Sequence, residues 1–383
     1  MKKEIAIVGI GETPPARRSA HDIRTLTVTA VGDALADAGL TGRDVDGIVT
    51  DALIMPATAP HEYIAAQFGI ERAYDGGISY GGTGIVCAPM VAAAAIEAGL
   101  AETVLCYFGV DWGSRVSGPY GFHDLYPAKK AFEKPYGFNG QPSYFALWAQ
   151  RYMHDYGTTD ADLAAIAVGQ RANAMLNGRG QKARPLDMAG YYASRPISDP
   201  LREADCCLIS DGVCAFVVTT MERARDLRAK PVRVLGSGYA SEAISGDDIF
   251  TQRAELLRIP GAAAATRRAL AQAGITHDDV DFAEIYDCFT ISCLMQIEGM
   301  GFCGPGEGGA FVRERGITVD GGLPINTHGG MLGYSYLLGA EHVIEAVRQI
   351  RGEAGAAQVP DAEIGLVTGL SVPDYGVLLL GRA

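Results

Sequence analysis

The sequence predicts an α/β protein built from two related halves, with a long segment inserted in the first. Three observations carry this. Residues 34–46 read ALADAGLTGRDVD and residues 269–281 read ALAQAGITHDDVD, one motif occurring twice. Strand-like apolar runs alternate with helix-like patterns through both stretches, the arrangement of βαβ units and largely parallel sheets. Residues 111–200 have no counterpart in the second stretch and are expected to form a loop domain that covers a site. The expected division is 1–225 and 230–383.

Each element follows from local chemistry. Ile5 to Gly11 is an apolar run broken by glycines and closed by Glu12, with no small-residue cleavage site. It reads as a buried strand rather than an export signal, and the cytoplasm is the expected location. No apolar run approaches the ~20 residues needed to cross a bilayer. Gly9-Ile10-Gly11 faintly matches a dinucleotide fingerprint, but Pro14 and Pro15 stand where its helix should start, so a simple tight turn is expected.

In both copies of the repeat a helical pattern ends at a glycine, Gly39 or Gly274. A threonine and a short acidic turn follow, then an apolar strand, 47–54 or 282–286. The first copy continues with a strand at 73–80, the turn Gly81-Gly82-Thr83-Gly84, an Ala-rich helix to about Gly99 and a strand at 103–110. In the second, His328-Gly329-Gly330 opens a helix expected to run to about Arg351, followed by strands at 364–368 and 376–380. The insertion opens with a stretch rich in Gly, Pro and Tyr, then gives helical patterns at about 143–156 and 160–177. Its aromatics (Tyr120, Phe122, Tyr126, Phe132, Tyr136, Phe138, Tyr144, Phe145, Trp148) either line an apolar cavity or pack the insertion's own core.

Composition narrows the function. Lys and Arg number 32 against 45 Asp and Glu, a net charge of −13, which argues against nucleic acid or anionic membrane as partner. The eight cysteines lie mostly in apolar segments and read as reduced, buried thiols. There is no CxxC pair and the seven histidines are scattered, so no metal site is expected in this chain. The 81–84 turn lies between a strand and a helix, where backbone N–H groups face the mouth of a sheet, yet it carries no nucleophile.

At this level of detail the chain resembles the thiolase superfamily over essentially its whole length. The segments AEIYDCFT (283–290), GGLPINTHGG (321–330), DCCLISDG (205–212) and HVIEAVRQIR (342–351) resemble its lipid-transfer-protein or sterol-carrier-protein thiolase-like branch. The resemblance implies a thiolase fold of two duplicated αβαβα halves with an inserted loop domain. Residue by residue, the catalytic groups of a thiolase are missing. Gly81 stands at the nucleophilic Cys, Tyr336 at the activating His and Leu370 near the second Cys, while Asp287 replaces the motif Asn. Cys87, inside the following helix, is expected to be a core residue. Without a thiolate there is no acyl-enzyme, so Claisen chemistry through a covalent thioester is not expected.

The pattern resembles instead the aldolases of this branch, which act on β-hydroxyacyl-CoA thioesters in steroid side-chain degradation. That implies a carbon–carbon lyase whose acid/base pair is Tyr286 and Tyr336, with no choice between them. An acyltransferase or a non-catalytic acyl-CoA-binding subunit is the alternative. His328 is placed to reach the same cavity, or else to bond loop backbone. Asp287 either orients Tyr286 or a water, or caps a helix over 288–300. Asp205 and Asp211 are expected to make turns. Gly81, Gly82, Gly329 and Gly330 are the expected binding positions for the thioester, coenzyme A being part of the substrate rather than a cofactor. Arg115, Lys129, Lys130 and Lys134 are candidates for its phosphates, against the plainer reading of solvated charge. The resemblance further implies a homodimer through the N-terminal half. It also implies a DUF35 companion with an OB-fold and a zinc ribbon, giving a heterotetramer in which any zinc belongs to the companion.

Overall fold

The structure, a computed structural model, describes residues 3–51, 58–78, 81–115, 126–138, 140–243, 251 and 253–383. The first half contributes β1 (Ile5–Glu12), β2 (Gly47–Thr50), β3 (Tyr74–Gly77), β4 (Thr103–Asp111), a small hairpin of β5 (Pro196–Ser198) and β6 (Leu201–Arg202), and β7 (Asp211–Thr220). The second contributes β8 (Val232–Ser241), β9 (Phe282–Glu284), β10 (Ile364–Leu370) and β11 (Asp374–Arg382). The helices of the first half are α1 (Ile23–Ala38), α2 (His61–Phe68), α3 (Gly84–Glu97), α4 (Gln141–Tyr156), α5 (Asp160–Asn177), α6 (Met188–Ala193) and α7 (Met221–Ala224). Those of the second are α8 (Ala262–Ala273), α9 (Thr290–Met300), α10 (Gly308–Arg315), α11 (Gly330–Gly333) and α12 (Ala340–Arg351).

Among the described residues nine strands form one sheet in the order β3-β2-β4-β7-β1-β8-β11-β10-β9. The sheet is mixed, not largely parallel as the alternation suggested. β2 runs parallel to β3 and β4, and β9 to β10. The pairs β4–β7, β7–β1, β1–β8, β8–β11 and β10–β11 are antiparallel. The physical reason is visible at β10–β11: residues 371–373 alone connect them, too short for a parallel crossover. The pairing β2–β4–β7–β1 is repeated, sense for sense, by β9–β10–β11–β8, and the two sets meet where Ala6 and Ile7 pair with Arg233 and Val232.

Small contacts repeat as well. Thr41 and Asp44 form a reciprocal cap on one turn, as Thr276 and Asp279 do on its counterpart. Asp46 accepts the backbone N–H groups of Glu102 and Thr103 at the start of β4, and Asp281 those of Glu363 and Ile364 at the start of β10. Gly9 and Gly11 lie within β1 rather than in a tight turn. A Cβ at either would run into the carbonyl oxygens of Ala34 and Ala30 in α1. Gly236 and Gly238 of β8 stand the same way to Ala269 and Ala265 of α8. These glycines let each helix lie directly on its strand. Ala6 and Val8 pack with α1, whereas Ile5 and Ile7 join the core that holds α3 and α12.

Two sequence expectations change here. The helix expected from Gly330 to Arg351 is broken: α11 is one turn, residues 334–339 are irregular, and α12 begins at Ala340. Positive φ angles at Leu338 (57°) and Gly339 (90°) make the break, because α-helical backbone needs negative φ. The insertion's aromatics divide. Tyr144, Phe145 and Trp148 are buried on α4, and Phe145 stacks on Phe289 with ring centroids 4.4 Å apart, clamping the insertion over α9. Phe132 and Tyr136 are exposed, and Tyr120 and Phe122 lie outside the described residues. Among the described residues no helix is long and apolar enough to cross a membrane.

Candidate active site

The site grows from the end of β9. Beyond Glu284 the chain is pinned by side chains: Ile285 N–H donates to Asn326 Oδ1 (2.6 Å) and Tyr286 N–H to Thr368 Oγ1 (2.9 Å). Gln296 Nε2 donates to the Tyr286 carbonyl (2.6 Å). This fixes where the Tyr286 ring starts. Its phenol oxygen lies 2.8 Å from that of Tyr336. Tyr336 sits in the break between α11 and α12, its N–H bonded to Ser210 Oγ at 2.9 Å, its ring 4.9 Å from that of Trp112. In the sequence Trp112 carries no mark and Ser210 no role beyond its place in the 205–212 motif; both lie more than a hundred residues from their partner.

The glycine turn meets this pair. A Cβ on Gly82 would lie 2.5 Å from the Tyr286 phenol oxygen, and the Leu370 carbonyl borders the same glycine. Gly81 takes a positive φ of 55°. The segments that carry Gly81, Tyr336 and Leu370, which the resemblance equates with the catalytic positions of a thiolase, therefore meet around Tyr286. Cys87 lies deep in α3, and burial pushes its thiol up to about 12, which removes it as a nucleophile at neutral pH.

Burial, helped by the Tyr336 phenol, holds Tyr286 well above the usual value near 10; burial, helped by the nearby Cys207 and Cys288, holds Tyr336 there against the lowering bond from Tyr286, so both are neutral. Among the described residues no Lys or Arg bonds to either. Of two bonded phenols, one proton lies between the oxygens and the other is free to point to a third group.

Asp287 does not cap the helix after it. α9 begins at Thr290, and the Asp287 carboxylate instead accepts Met331 N–H (2.9 Å) and Leu332 N–H (3.3 Å) of α11. The two donors belong to a turn held against the carboxylate by Gly330, whose φ is 61°. Behind Asp287 lies a buried polar cluster. His342 Nε2 is 3.3 Å from Asp287 Oδ1, and His342 Nδ1 is 3.8 Å from Glu284 Oε2. His328 Nδ1 is 3.0 Å from the same Glu284 oxygen, so its polar partner is Glu284. Burial drives His328 down to about 3, whereas the surrounding carboxylates outweigh burial for His342 and raise it. Glu284 Oε2, His328 and His342 bring donor atoms of metal-ligand type within 4.8 Å of one another, and the same atoms also pair among themselves.

The remaining candidates have other partners. Gly329 packs on Ala174 of α5 and Gly330 on Asp287 and Asn326. Asp205 is buried and accepts the hydroxyls of Tyr191 and Thr290 as well as Arg202 N–H. Asp211 ties Ser19, Gly113 and Ser114 together. Arg115 pairs with Asp111 (2.9 Å) and the buried Lys129 with Glu133 (3.6 Å), while Lys130 and Lys134 are exposed. Tyr334 donates to Glu12, which also holds Arg348.

With this geometry in hand, comparison with known proteins is decisive. Residues 243–375 match the family described as thiolase C-terminal domain-like. The human mitochondrial 3-ketoacyl-CoA thiolase, at 12% identity and a TM-score of 0.71, shares the fold over 100% of this chain and 99% of its own. A 17-hydroxy-3-oxo-4-pregnene-20-carboxyl-CoA lyase of Mycobacterium tuberculosis is 37% identical, over 98% of this chain and 99% of its own. A steroid side-chain-cleaving aldolase of Thermomonospora curvata is 36% identical, over 98% and 97%. The solved structure of an Ltp2-ChsH2(DUF35) aldolase superposes with a TM-score of 0.91 at 35% identity, over 99% of this chain and 98% of that one. The chain belongs to the thiolase superfamily. Within it, it is a carbon–carbon lyase of the aldolase branch.

Proposed function

We propose that this chain cleaves a β-hydroxyacyl-CoA thioester by retro-aldol chemistry, its acyl group being a steroid side chain or a similarly bulky group, with Tyr286 and Tyr336 as a proton relay. The observation that carries the reading is the 2.8 Å bond between two neutral phenols beside a turn with no nucleophile. Cleavage breaks the Cα–Cβ bond. Its electron pair passes into the thioester as an enolate, the β-carbon becomes a carbonyl, the β-hydroxyl loses a proton and the α-carbon gains one. A bonded pair of phenols performs both transfers at once. One oxygen takes the hydroxyl proton as it passes its own to its partner, and the partner's proton goes to the α-carbon. Neither phenol becomes a free tyrosinate, which matches their raised values and the lack of a bonded Lys or Arg among the described residues. No covalent intermediate and no cofactor in this chain is required, coenzyme A being part of the substrate.

Gly82 borders the Tyr286 phenol and Gly81 precedes it in the same turn, so the thioester is assigned to that side. Asp287 and His328 act behind the phenols, on position rather than on substrate. The close superposition on an aldolase solved together with a DUF35 chain supports a companion of that type; the heterotetramer is what the family resemblance implies. A homodimer through the N-terminal half is supported by β3, which forms one edge of the sheet.

The test is direct. The chain is purified with and without a DUF35 protein, given steroid and simpler β-hydroxyacyl-CoAs, and assayed for released ketone or aldehyde, while mass measurement reports the assembly. Tyr286→Phe and Tyr336→Phe are each expected to lower kcat by about 100-fold or more, the range of a lost acid/base group. Full turnover in the double variant would sink the relay.

A further inference from the structure

We propose that His342 is a positioning residue for this reaction: it holds the Asp287 carboxylate against the α11 backbone, and that staple sets the spacing of the two phenols. The inference rests on the tyrosine reading above. Tyr286 and Tyr336 come from segments fifty residues apart in sequence, as the bond between them records. Asp287 is covalently next to the first phenol, and its carboxylate accepts two N–H groups of the turn that leads into the second. Any drift of that carboxylate moves one phenol relative to the other.

A buried carboxylate stays put only if something balances its charge and fills its lone pairs. His342 does both. Its ring spans Asp287 through Nε2 (3.3 Å) and Glu284 through Nδ1 (3.8 Å), so it bridges the two acids that flank Ile285-Tyr286 along the chain. Glu284 is fixed in turn: its other oxygen accepts the N–H (3.1 Å) and hydroxyl (2.6 Å) of Thr327, and His328 closes on it from the far side. The charged groups around the imidazole are Glu284 from β9, Asp287 from the segment after it, and Glu341 from its own helix, with His328 packed edge-on at a centroid distance of 5.1 Å. The bridge comes from α12, a helix whose Glu341, His342, Glu345, Gln349 and Arg351 are all buried. The cluster is therefore a built interior network rather than a solvated face.

The experiment compares His342→Leu with His342→Gln, whose amide can still donate to Asp287, in the same turnover assay as the two Tyr→Phe variants. His342→Leu is expected to lower kcat by about 30- to 100-fold with KM changed less than about threefold, since misplacement near 1 Å costs on that order. His342→Gln should regain at least about tenfold of that loss, because one charge-assisted bond is restored. Equal impairment of the Leu and Gln variants would overturn the staple, as would a wild-type kcat in the Leu variant when the Phe variants are dead. One equivalent of divalent metal in the purified protein would overturn it too, since the imidazoles would then be ligands. Should the Leu variant fail to fold, Asp287→Asn carries the test: kcat lower by about tenfold or more at constant KM supports the staple, and an unchanged kcat ends it. Active Phe variants would overturn the tyrosine reading itself and this proposal with it, a failure distinguishable because it shows in the tyrosines first.

Discussion

The end of β2 and the end of β9 occupy one place in two copies of the same frame, and they carry opposite chemistry. Counted from the capping residues Asp46 and Asp281, the fifth residue onward is Asp51 in the first half and Tyr286 in the second. Asp51 is buried beside Gly84 at the start of α3, and neither of its carboxylate oxygens has a hydrogen-bond partner among the described residues. Burial pushes it up to about 8. Tyr286 is buried as deeply, but its backbone is held by Thr368 and Gln296 and its phenol by Tyr336. The frame is duplicated through backbone-level contacts: glycines under helices, aspartates at strand starts, capped turns. Function is set by what a strand end carries and by whether a second segment comes to meet it.

That comparison can be broken in several ways. The largest effect is expected at Gly82, where the first half approaches the Tyr286 phenol. Gly82→Ala places a methyl 2.5 Å from the phenol oxygen and should cut kcat by about 100-fold, the scale of an ångström-level misplacement. Steady-state kinetics beside a melting curve would separate this from unfolding. Next come Gly11→Ala and Gly238→Ala, which push a methyl into a helix carbonyl in each half. Overpacking of this kind costs about 1–3 kcal/mol, or roughly 1–4 °C of Tm in a chain of this size. Calorimetry should show similar losses in both; a loss confined to one would mean the two frames are not energetically alike.

The smallest effect tests Asp51 itself. The unfolded chain releases its proton near 3.8, and the folded chain holds it to about 8. Between these values the folded state binds the extra proton, so this contribution is complete below about pH 4 and is lost as pH rises toward 8. Asp51→Asn removes the titration. Its Tm relative to the parent should rise by a few degrees, roughly 3 °C, between pH 5 and pH 8. A gap independent of pH would show that Asp51 is charged and paired in the fold.

What the sequence made legible was mostly local. The repeat stood out because Thr41–Asp44 and Thr276–Asp279 solve one capping problem with neighbouring residues. Helices α4 and α5 begin and end within two residues of their expected bounds, since their αL glycines and apolar spacing are written in order along the chain. The strand sense was misread because alternation does not show that β10 returns directly into β11. The meeting of Gly81, Tyr286, Tyr336 and Leu370 was reached only through family resemblance. Those residues come from four segments, and no spacing rule links them. His342 stands in a motif of the resemblance but has no role legible in the sequence, for a related reason: Glu284 and Asp287 lie more than fifty residues upstream, and only burial shows that they face no water.

The glycine turn has a consequence for how such a site could change. A side chain at Gly81 would have to adopt a positive φ of 55°, a strained choice for cysteine, and one at Gly82 would collide with the phenol. At Gly82 a nucleophilic side chain and the Tyr286 phenol therefore compete for the same space. A nucleophile placed at Gly82 by one substitution would leave a lyase with a damaged relay, and one placed at Gly81 would carry the strain of a positive φ. On this scaffold the two chemistries are separated by several coordinated changes, so a descendant of this site has far easier routes to a new acyl group than back to a covalent thioester.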